Sequence, residues 1–307
     1  MAVTAAMVKE LRELSGAGMS ACKNALVDAN GDMARAVEIL REKGLAAAAK
    51  KAGRIAAEGL VMTALADDRK KGAIAEVNSE TDFVAKNEDF IGFVKNVAAQ
   101  ALASNASTVE EMLAEKWVAD PGTTLQDVLT QKIATIGENI GIRRFQRYTV
   151  SGSGVIVDYV HGGGRVGVML ELEADTVTDA VIEAGRNVCM QIAAMSPQFA
   201  TRADVSEEYL AKEREILTQQ TIAEGKPANI AEKMVEGRLN KALKEIVLVD
   251  QEYVKDGEMN VGQYLDSVAK TVGSKLAVAR FVRYEKGEGI EKKEENFAEE
   301  VSKAMQV

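Results

Sequence analysis

The apolar positions of the first 54 residues follow a helical spacing in three short segments. A polar residue that can cap a helix precedes each segment, and a glycine ends it. The pairs of cap and terminating glycine are Thr4 and Gly16, Ser20 and Gly31, and Asp32 and Gly44. Helices this short bury little surface unless they pack together. The pattern therefore predicts an N-terminal three-helix module over residues 1–54, which ends in an alanine- and lysine-rich helical tether.

An internal repeat follows this module. A shift of 95 residues without a gap aligns Gly59 with Gly154, Gly72 with Gly167, and Glu76 with Glu171. Each copy alternates like two strands, then takes helical spacing, and later reaches a similar strand, RFQRY at 144–148 or RFVRY at 280–284. The pattern predicts an α+β fold with two related subdomains, each an antiparallel three-stranded sheet with helices on one side. Their predicted bounds are 55–150 for the first copy, and 151–200 with 247–285 for the second.

Two long amphipathic segments interrupt the second copy. The sequence Glu-Gly-Lys-Pro at 224–227 lies between them, so residues 201–246 are predicted to form an antiparallel helical hairpin. Three roles stay open for this hairpin: an arm for self-association, an arm for another partner, and a solvated decoration. Residues 286–307 end in a charged segment with Phe297, Val301 and Met305 on one stripe, which predicts a C-terminal helix.

The sequence Thr81-Asp82-Phe83-Val84 lies where strand-like alternation gives way to helical spacing. In one interpretation Asp82 caps the following helix and Phe83 is tucked beneath it. In the other, Phe83 is an exposed contact residue at a surface junction. The ungapped shift places Val177-Thr178 opposite Asp82-Phe83, so the second copy lacks the acid and the aromatic. This difference favours a separate role for the first junction.

Met19 and His161 both lie in glycine-rich turns. Met19 follows Gly16-Ala17-Gly18, and it either fills the core of the N-terminal module or belongs to a docking surface. His161 precedes three glycines in the turn between two predicted strands, and it is either a surface turn residue or an interface contact.

The charge balance argues against nucleic acid as a partner. The net charge is −9; residues 1–54 hold nine Lys and Arg against six Asp and Glu, and the remainder holds 29 against 41. Nonspecific binding to nucleic acid depends on neutralising phosphates, which an acidic body does poorly. Arginines and aromatics alternate in the two RFxRY strands, a pattern that fits phosphate and base contacts but also fits a half-buried sheet.

The sequence contains no constellation for enzyme chemistry. The single histidine cannot form a metal cluster alone, and both the P-loop pattern and a GxGxxG that opens a helix are absent. Cys22 and Cys189 are far apart in sequence and are predicted to be buried thiols in a reducing compartment. The apolar runs are shorter than a membrane span and the N-terminus lacks a signal-peptide pattern. We therefore expect a cytoplasmic protein that is not an enzyme and uses no cofactor.

Taken together, the motifs of the chain resemble the bacterial elongation factor Ts family over nearly the whole length. The segments that carry the resemblance are GAGM at 16–19, NGD at 30–32, KKAG at 50–53, EVN at 76–78, TDFVAK at 81–86, IGENI at 136–140, HG at 161–162, IAEKMVEGR at 230–238 and EGIEK at 288–292.

This resemblance implies a guanine nucleotide exchange factor of translation elongation. Such a factor binds elongation factor Tu, both GDP-bound and nucleotide-free, and promotes GDP release by disturbing the magnesium site. The resemblance also implies a UBA-like N-terminal module and a coiled-coil hairpin. It assigns partner binding and magnesium dislocation to Thr81, Asp82, Phe83 and Val84, and further partner contacts to Met19, His161, Gly162, Met234 and Val235. The alternative function is a passive scaffold or chaperone-like binder without exchange activity.

Overall fold

The computed structural model describes residues 3–225 and 228–291, and it combines helices with small antiparallel sheets, which confirms the predicted α+β class. The described helices are α1 (Ala5–Ser15), α2 (Met19–Asp28), α3 (Met33–Lys51), α4 (Asp82–Ala85), α5 (Glu88–Ala103), α6 (Val109–Ala114), α7 (Leu125–Ile136), α8 (Asp179–Met195), α9 (Glu207–Ala223), α10 (Ala228–Ile246) and α11 (Val261–Val272). The described strands are β1 (Glu58–Leu65), β2 (Lys71–Ser79), β3 (Lys116–Trp117), β4 (Asp120–Thr124), β5 (Gly141–Thr149), β6 (Gly154–His161), β7 (Val166–Ala174), β8 (Glu252–Tyr253), β9 (Asp256–Asn260) and β10 (Leu276–Glu285).

The chain divides into two compact units. The described residues of 1–62, 75–145 and 285–307 form the first unit, and those of 63–74 and 146–284 form the second. The strand order is β1-β2-β5 in one three-stranded sheet and β10-β7-β6 in the other. No helix in the described part of the chain is long and apolar enough to cross a bilayer.

Helices α1, α2 and α3 surround a small core in which Leu11, Cys22 and Leu26 are fully buried. Thr4 and Asp32 cap α1 and α3 as predicted, but α2 begins at Met19 after Gly18 rather than at Ser20. The prediction that Gly44 ends the third helix was also wrong, since α3 continues to Lys51.

Gly44 lies inside α3 on the side that faces α7. A Cβ atom built on Gly44 would lie 3.5 Å from Thr130 Cγ2 and 3.8 Å from Ala134 Cβ, both on α7. Both distances are ordinary van der Waals contacts, so an alanine would also fit at this position, and the helix bears the usual small cost of glycine. The alanine- and lysine-rich segment belongs to this same helix rather than to a separate tether.

The arginines of the two RFxRY strands form ion pairs with buried glutamates. In the first unit, Arg144 Nε donates to Glu76 Oε2 at 2.6 Å, and in the second, Arg280 Nε donates to Glu171 Oε2 at 2.7 Å. Both carboxylates are buried. Arg280 also stacks over the Tyr148 ring at 4.1 Å. The arginine of each strand thus neutralises a buried acid on the neighbouring strand, an internal role that accounts for the pattern without nucleic acid.

Helices α9 and α10 pack against each other as the predicted hairpin requires. Ion pairs join Arg214 to Glu236 at 2.7 Å and Arg238 to Glu224 at 2.7 Å. Pro227 of the turn and the predicted C-terminal helix beyond residue 291 lie outside the described residues.

Candidate functional site

The junction after β2 forms a separate short helix, α4, before the longer helix α5. Thr81 is the N-cap residue, and its Oγ1 accepts a hydrogen bond from Val84 N at 3.4 Å. On the opposite side of the turn, Ala85 is buried and anchors the helix. A capped turn with one buried residue holds the side chains of Asp82 and Phe83 in a defined orientation.

Phe83 is 80% exposed, the highest value for any large apolar side chain among the described residues. The interpretation in which Asp82 caps the helix and covers Phe83 is therefore wrong, because Thr81 provides the cap and Phe83 faces solvent. A phenylalanine left in water forgoes a burial free energy of about 1.5–3 kcal/mol. An aromatic ring displayed in this way on a short, capped helix is typical of an interface residue.

Helix α4 is an insertion in the first copy of the repeat. The strands β2 and β7 begin 95 residues apart, at Lys71 and Val166, but the helices α5 and α8 begin only 91 residues apart, at Glu88 and Asp179. The first copy therefore holds four additional residues between strand and helix, and α4 is four residues long. The ungapped shift of 95 residues was wrong for the helices.

Matching hydrogen bonds support the 91-residue offset. Gln100 Oε1 accepts from Val118 N at 2.7 Å, and Gln191 Oε1 accepts from Val254 N at 2.9 Å. Both glutamines are buried. From β3 and β8 onward the offset is 136 residues, because the hairpin of α9 and α10 lies within the second copy only. At the equivalent junction of that copy, β7 leads to α8 without an intervening helix.

Glu138 holds the start of α4. Its Oε2 accepts hydrogen bonds from Glu80 N at 3.1 Å and from Thr81 N at 3.0 Å. Its Oε1 accepts from Thr81 Oγ1 at 2.6 Å. Glu138 lies within the IGENI segment at 136–140, but no local sequence pattern gives it a role, since its contacts are with residues 57 and 58 positions away.

Asp82 pairs with Lys86 one helical turn later, with Nζ at 2.6 Å from Oδ2. The Lys86 ammonium donates this hydrogen bond to the carboxylate, which lowers the pKa of Asp82 below its usual value. Because the side chain is half exposed, the pairing adds little to stability. Asp82 is negatively charged at neutral pH with or without this pairing, because the ordinary pKa of aspartate is about 3.9.

Replacing Lys86 with methionine is expected to raise the pKa of Asp82 toward its ordinary value, because the donor of the charged hydrogen bond is lost. A group with a lowered pKa in the folded state stabilises the fold above its unfolded pKa, and this contribution disappears as the pH falls through the folded pKa. Carboxyl ¹³C chemical shifts of wild type and Lys86→Met, followed by NMR from pH 7 to pH 2, measure the difference. Identical titration midpoints for Asp82 would contradict the assignment.

The other predicted contact residues are spread over both units. In the first unit, Met19 is 47% exposed at the start of α2 and lies outside the module core, so the interpretation of Met19 as a core residue is wrong. In the second unit, His161 is exposed at the end of β6, with Nδ1 at 2.9 Å from the Tyr159 hydroxyl. Met234 is half-buried on α10, whereas Val235 is buried at 4% exposure.

The backbone conformation of the turn after His161 explains its three glycines. Gly162, Gly163 and Gly164 have φ values of 57°, 65° and 103°, a region that favours glycine over other residues. The amides of Gly164 and Arg165 donate to the His161 carbonyl at 3.2 and 3.0 Å and close the turn. The turn therefore presents the His161 ring on a tightly closed hairpin.

Cys22 and Cys189 are both buried, as predicted. Burial raises the pKa of the Cys189 thiol well above its usual value, which leaves it protonated and unreactive. Residues 3–225 and 228–291 contain no group of three or more His, Cys, Asp or Glu side chains that could hold a metal ion.

Comparison with known proteins places these features in a family. The sequence profile of the family described as "Elongation factor TS" matches residues 80–288, a range that begins next to α4. Elongation factor Ts of Clostridium perfringens strain 13 is 56% identical over 301 residues, which is 98% of each chain. The proteins of the same name from Clostridium acetobutylicum and Clostridioides difficile are 53% and 52% identical over 304 and 303 residues, in both cases 99% of each chain.

Proposed function

This chain belongs to the elongation factor Ts family, and we propose that it is a guanine nucleotide exchange factor for elongation factor Tu. In this proposal it binds elongation factor Tu in the GDP-bound and nucleotide-free states and promotes GDP release during translation elongation. The single observation that carries the proposal is the exposed Phe83 on the capped, inserted helix α4.

Thr81, Asp82, Phe83 and Val84 are the proposed working residues. Phe83 enters an apolar site on elongation factor Tu as a wedge, while Thr81 and Val84 maintain the helical turn that carries it. Asp82 brings a carboxylate toward the magnesium ion of the partner. Because magnesium bridges the nucleotide phosphates and the protein, disturbing its site removes a large local charge that holds GDP.

Exchange of this kind requires no covalent step and no cofactor. A protein that weakens GDP binding to elongation factor Tu is itself bound more weakly, by the same factor, when GDP is present. The complex therefore forms as GDP leaves and dissociates when a nucleotide returns. This reciprocity fits a chain with an exposed apolar contact rather than a catalytic constellation.

The remaining surfaces are proposed to provide binding energy. Met19 lies on the N-terminal module, which we propose to be UBA-like. It adds contacts to elongation factor Tu together with His161, Gly162 and Met234. Val235 is left out of this set, because a buried side chain contributes to the packing of its own helix. Residues 286–307 are proposed to form a further helical contact, and 201–246 a coiled-coil hairpin that permits self-association. The proposed location is the cytoplasm, without nucleic acid or membrane as a partner.

Release of a fluorescent GDP analogue from elongation factor Tu tests the proposal directly. Added at one-tenth the concentration of elongation factor Tu, with excess unlabelled GDP, an exchange factor accelerates release of all the labelled nucleotide because it turns over. A passive scaffold binds elongation factor Tu but leaves the release rate unchanged. An unchanged rate with binding intact would replace the proposal by the scaffold alternative.

A further inference from the structure

Glu138 contacts the start of α4 through both of its carboxylate oxygens. Oε2 accepts from the amides of Glu80 and Thr81, and Oε1 accepts from the Thr81 hydroxyl at 2.6 Å. We call these three hydrogen bonds the Glu138 clasp. A carboxylate that accepts several hydrogen bonds from one short segment fixes its backbone and a side chain together, because charged acceptors form the stronger hydrogen bonds.

The clasp acts on the cap of α4. The Thr81 hydroxyl donates its hydrogen to Glu138 and accepts from Val84 N at 3.4 Å. The clasp therefore orients the hydroxyl so that its lone pair faces the first turn of α4. Phe83 lies between the cap and Val84, so its direction depends on this turn. Helices of four residues are unstable alone. The buried Ala85 and the Ser79 hydroxyl, which donates to the Thr81 carbonyl at 3.1 Å, also hold α4, and the clasp adds the contacts that fix its cap.

The second copy of the repeat provides a comparison for Glu138. With the offsets of 95 and 136 residues, Thr176 corresponds to Thr81 and Ser274 to Glu138. Ser274 Oγ accepts one hydrogen bond, from Thr176 N at 3.1 Å. A serine is thus sufficient to hold this junction where no helix is inserted. The first copy has a longer, charged side chain that adds hydrogen bonds to Glu80 N and to the Thr81 hydroxyl.

A second pair of contacts at this junction is the same in both copies. Asn139 N donates to Glu80 Oε1 at 2.6 Å, and Lys275 N donates to Asp175 Oδ2 at 3.1 Å. These pairs correspond under the same two offsets, so they serve the shared fold. In both copies these hydrogen bonds hold the junction between strand and helix. The additional reach of Glu138 occurs only in the copy that carries α4.

We infer that Glu138 is the positioning residue of α4, which sets the direction of Phe83 for nucleotide exchange. The inference rests on the proposed exchange function. Glu138 does not itself touch the nucleotide or its ion; it acts through Thr81. A positioning residue changes the rate within the complex more than it changes the affinity of the complex, because most of the binding surface lies elsewhere.

The test compares Glu138→Ser, which introduces the residue of the second copy, with Glu138→Gln and with Ser274→Ala as the matched control. The fluorescent GDP release rate is measured as a function of factor concentration, which separates the maximal rate from the half-saturating concentration. We expect Glu138→Ser to lower the maximal rate roughly 10-fold while half-saturation shifts less than about 2-fold. Glu138→Gln retains most of the rate, since its carbonyl accepts from both amides and its NH₂ group donates to Thr81. Ser274→Ala matches wild type.

A second pair of variants keeps the inference testable if Glu138→Ser does not fold. Thr81→Val removes the hydroxyl that links Glu138 to Val84, whereas Thr81→Ser keeps it. The maximal rate is expected to follow the hydroxyl: lowered in Thr81→Val and retained in Thr81→Ser. Maximal rates equal to wild type in both Glu138→Ser and Thr81→Val, or a loss confined to half-saturation, would overturn the inference alone. Failure of the wild-type chain to accelerate release would instead overturn the proposed function.

Discussion

Replacing Phe83 with alanine is expected to slow the release of GDP from elongation factor Tu at saturating factor by roughly 10- to 100-fold. The ring is 80% exposed in the free chain, so its removal takes nothing from the core. Its burial against the partner is worth about 1.5–3 kcal/mol, and each 1.4 kcal/mol corresponds to about tenfold in rate when that energy is realised as the nucleotide leaves.

Stopped-flow release of fluorescent GDP measures this effect, and calorimetry of the complex with nucleotide-free elongation factor Tu measures the binding that remains. Val177→Ala is the matched control, because Val177 is an apolar side chain, 41% exposed, at the corresponding junction of the second copy. We expect the control to match wild type in both assays. A Phe83→Ala variant as fast as Val177→Ala would remove Phe83 from the mechanism.

The largest effect on stability is expected at Glu76, which is fully buried on β2. Its carboxylate accepts hydrogen bonds from Arg143 Nη1 at 3.1 Å, Arg144 Nε at 2.6 Å, Asn78 Nδ2 at 3.1 Å and Gly287 N at 2.8 Å. Replacing Glu76 with alanine removes one acceptor from four donors: two arginine side chains, the Asn78 side-chain amide and the Gly287 backbone amide. Removing one partner of a buried ion pair costs about 3–5 kcal/mol, and the partial exposure of both arginines places the expected loss near the lower end.

Urea unfolding followed by tryptophan fluorescence suits this measurement. The chain has a single tryptophan, and Trp117 is buried in the same unit as Glu76. Glu288→Ala is the control, because the Glu288 side chain pairs with Arg144 at 3.2 Å but is half exposed, which predicts a loss below about 1 kcal/mol. Equal unfolding midpoints for Glu76→Ala and Glu288→Ala would contradict the role given to the buried carboxylate.

The periodicity of apolar residues predicts the α+β class, and it identifies two related copies. It cannot locate the four-residue insertion, and the reason is geometric. Four residues turn an α-helix by about 400°, only about 40° more than a full turn. An alignment shifted by four residues therefore still places one apolar face on the other, as in the ungapped match of Val97 with Ile192. The true partner of Val97 is Val188, and both side chains are fully buried.

The acid and the aromatic at 82–83 predicted the candidate site. The sequence did not predict Glu138, the residue that holds this site in place. Glu138 lies 57 residues from Thr81, and no local pattern relates a carboxylate in one loop to an amide in another. The glycines that were predicted to end helices were ambiguous in a similar way. Gly16 does end α1 with a left-handed conformation, whereas Gly44 lies within α3, which continues to Lys51. Sequence spacing gives the same signal for both positions, and only the folded structure distinguishes them.

The role of α4 in nucleotide exchange is measured most simply with a variant that lacks residues 82–85. This deletion gives the first copy the strand-to-helix spacing of the second, with Asn87 as the cap of α5 where Thr178 caps α8. Release of fluorescent GDP from elongation factor Tu is then followed with wild type, with the deletion variant and without factor. We expect the deletion variant to form a complex with nucleotide-free elongation factor Tu, but GDP to leave elongation factor Tu no faster than it does without factor. Acceleration equal to wild type would show that exchange proceeds without α4.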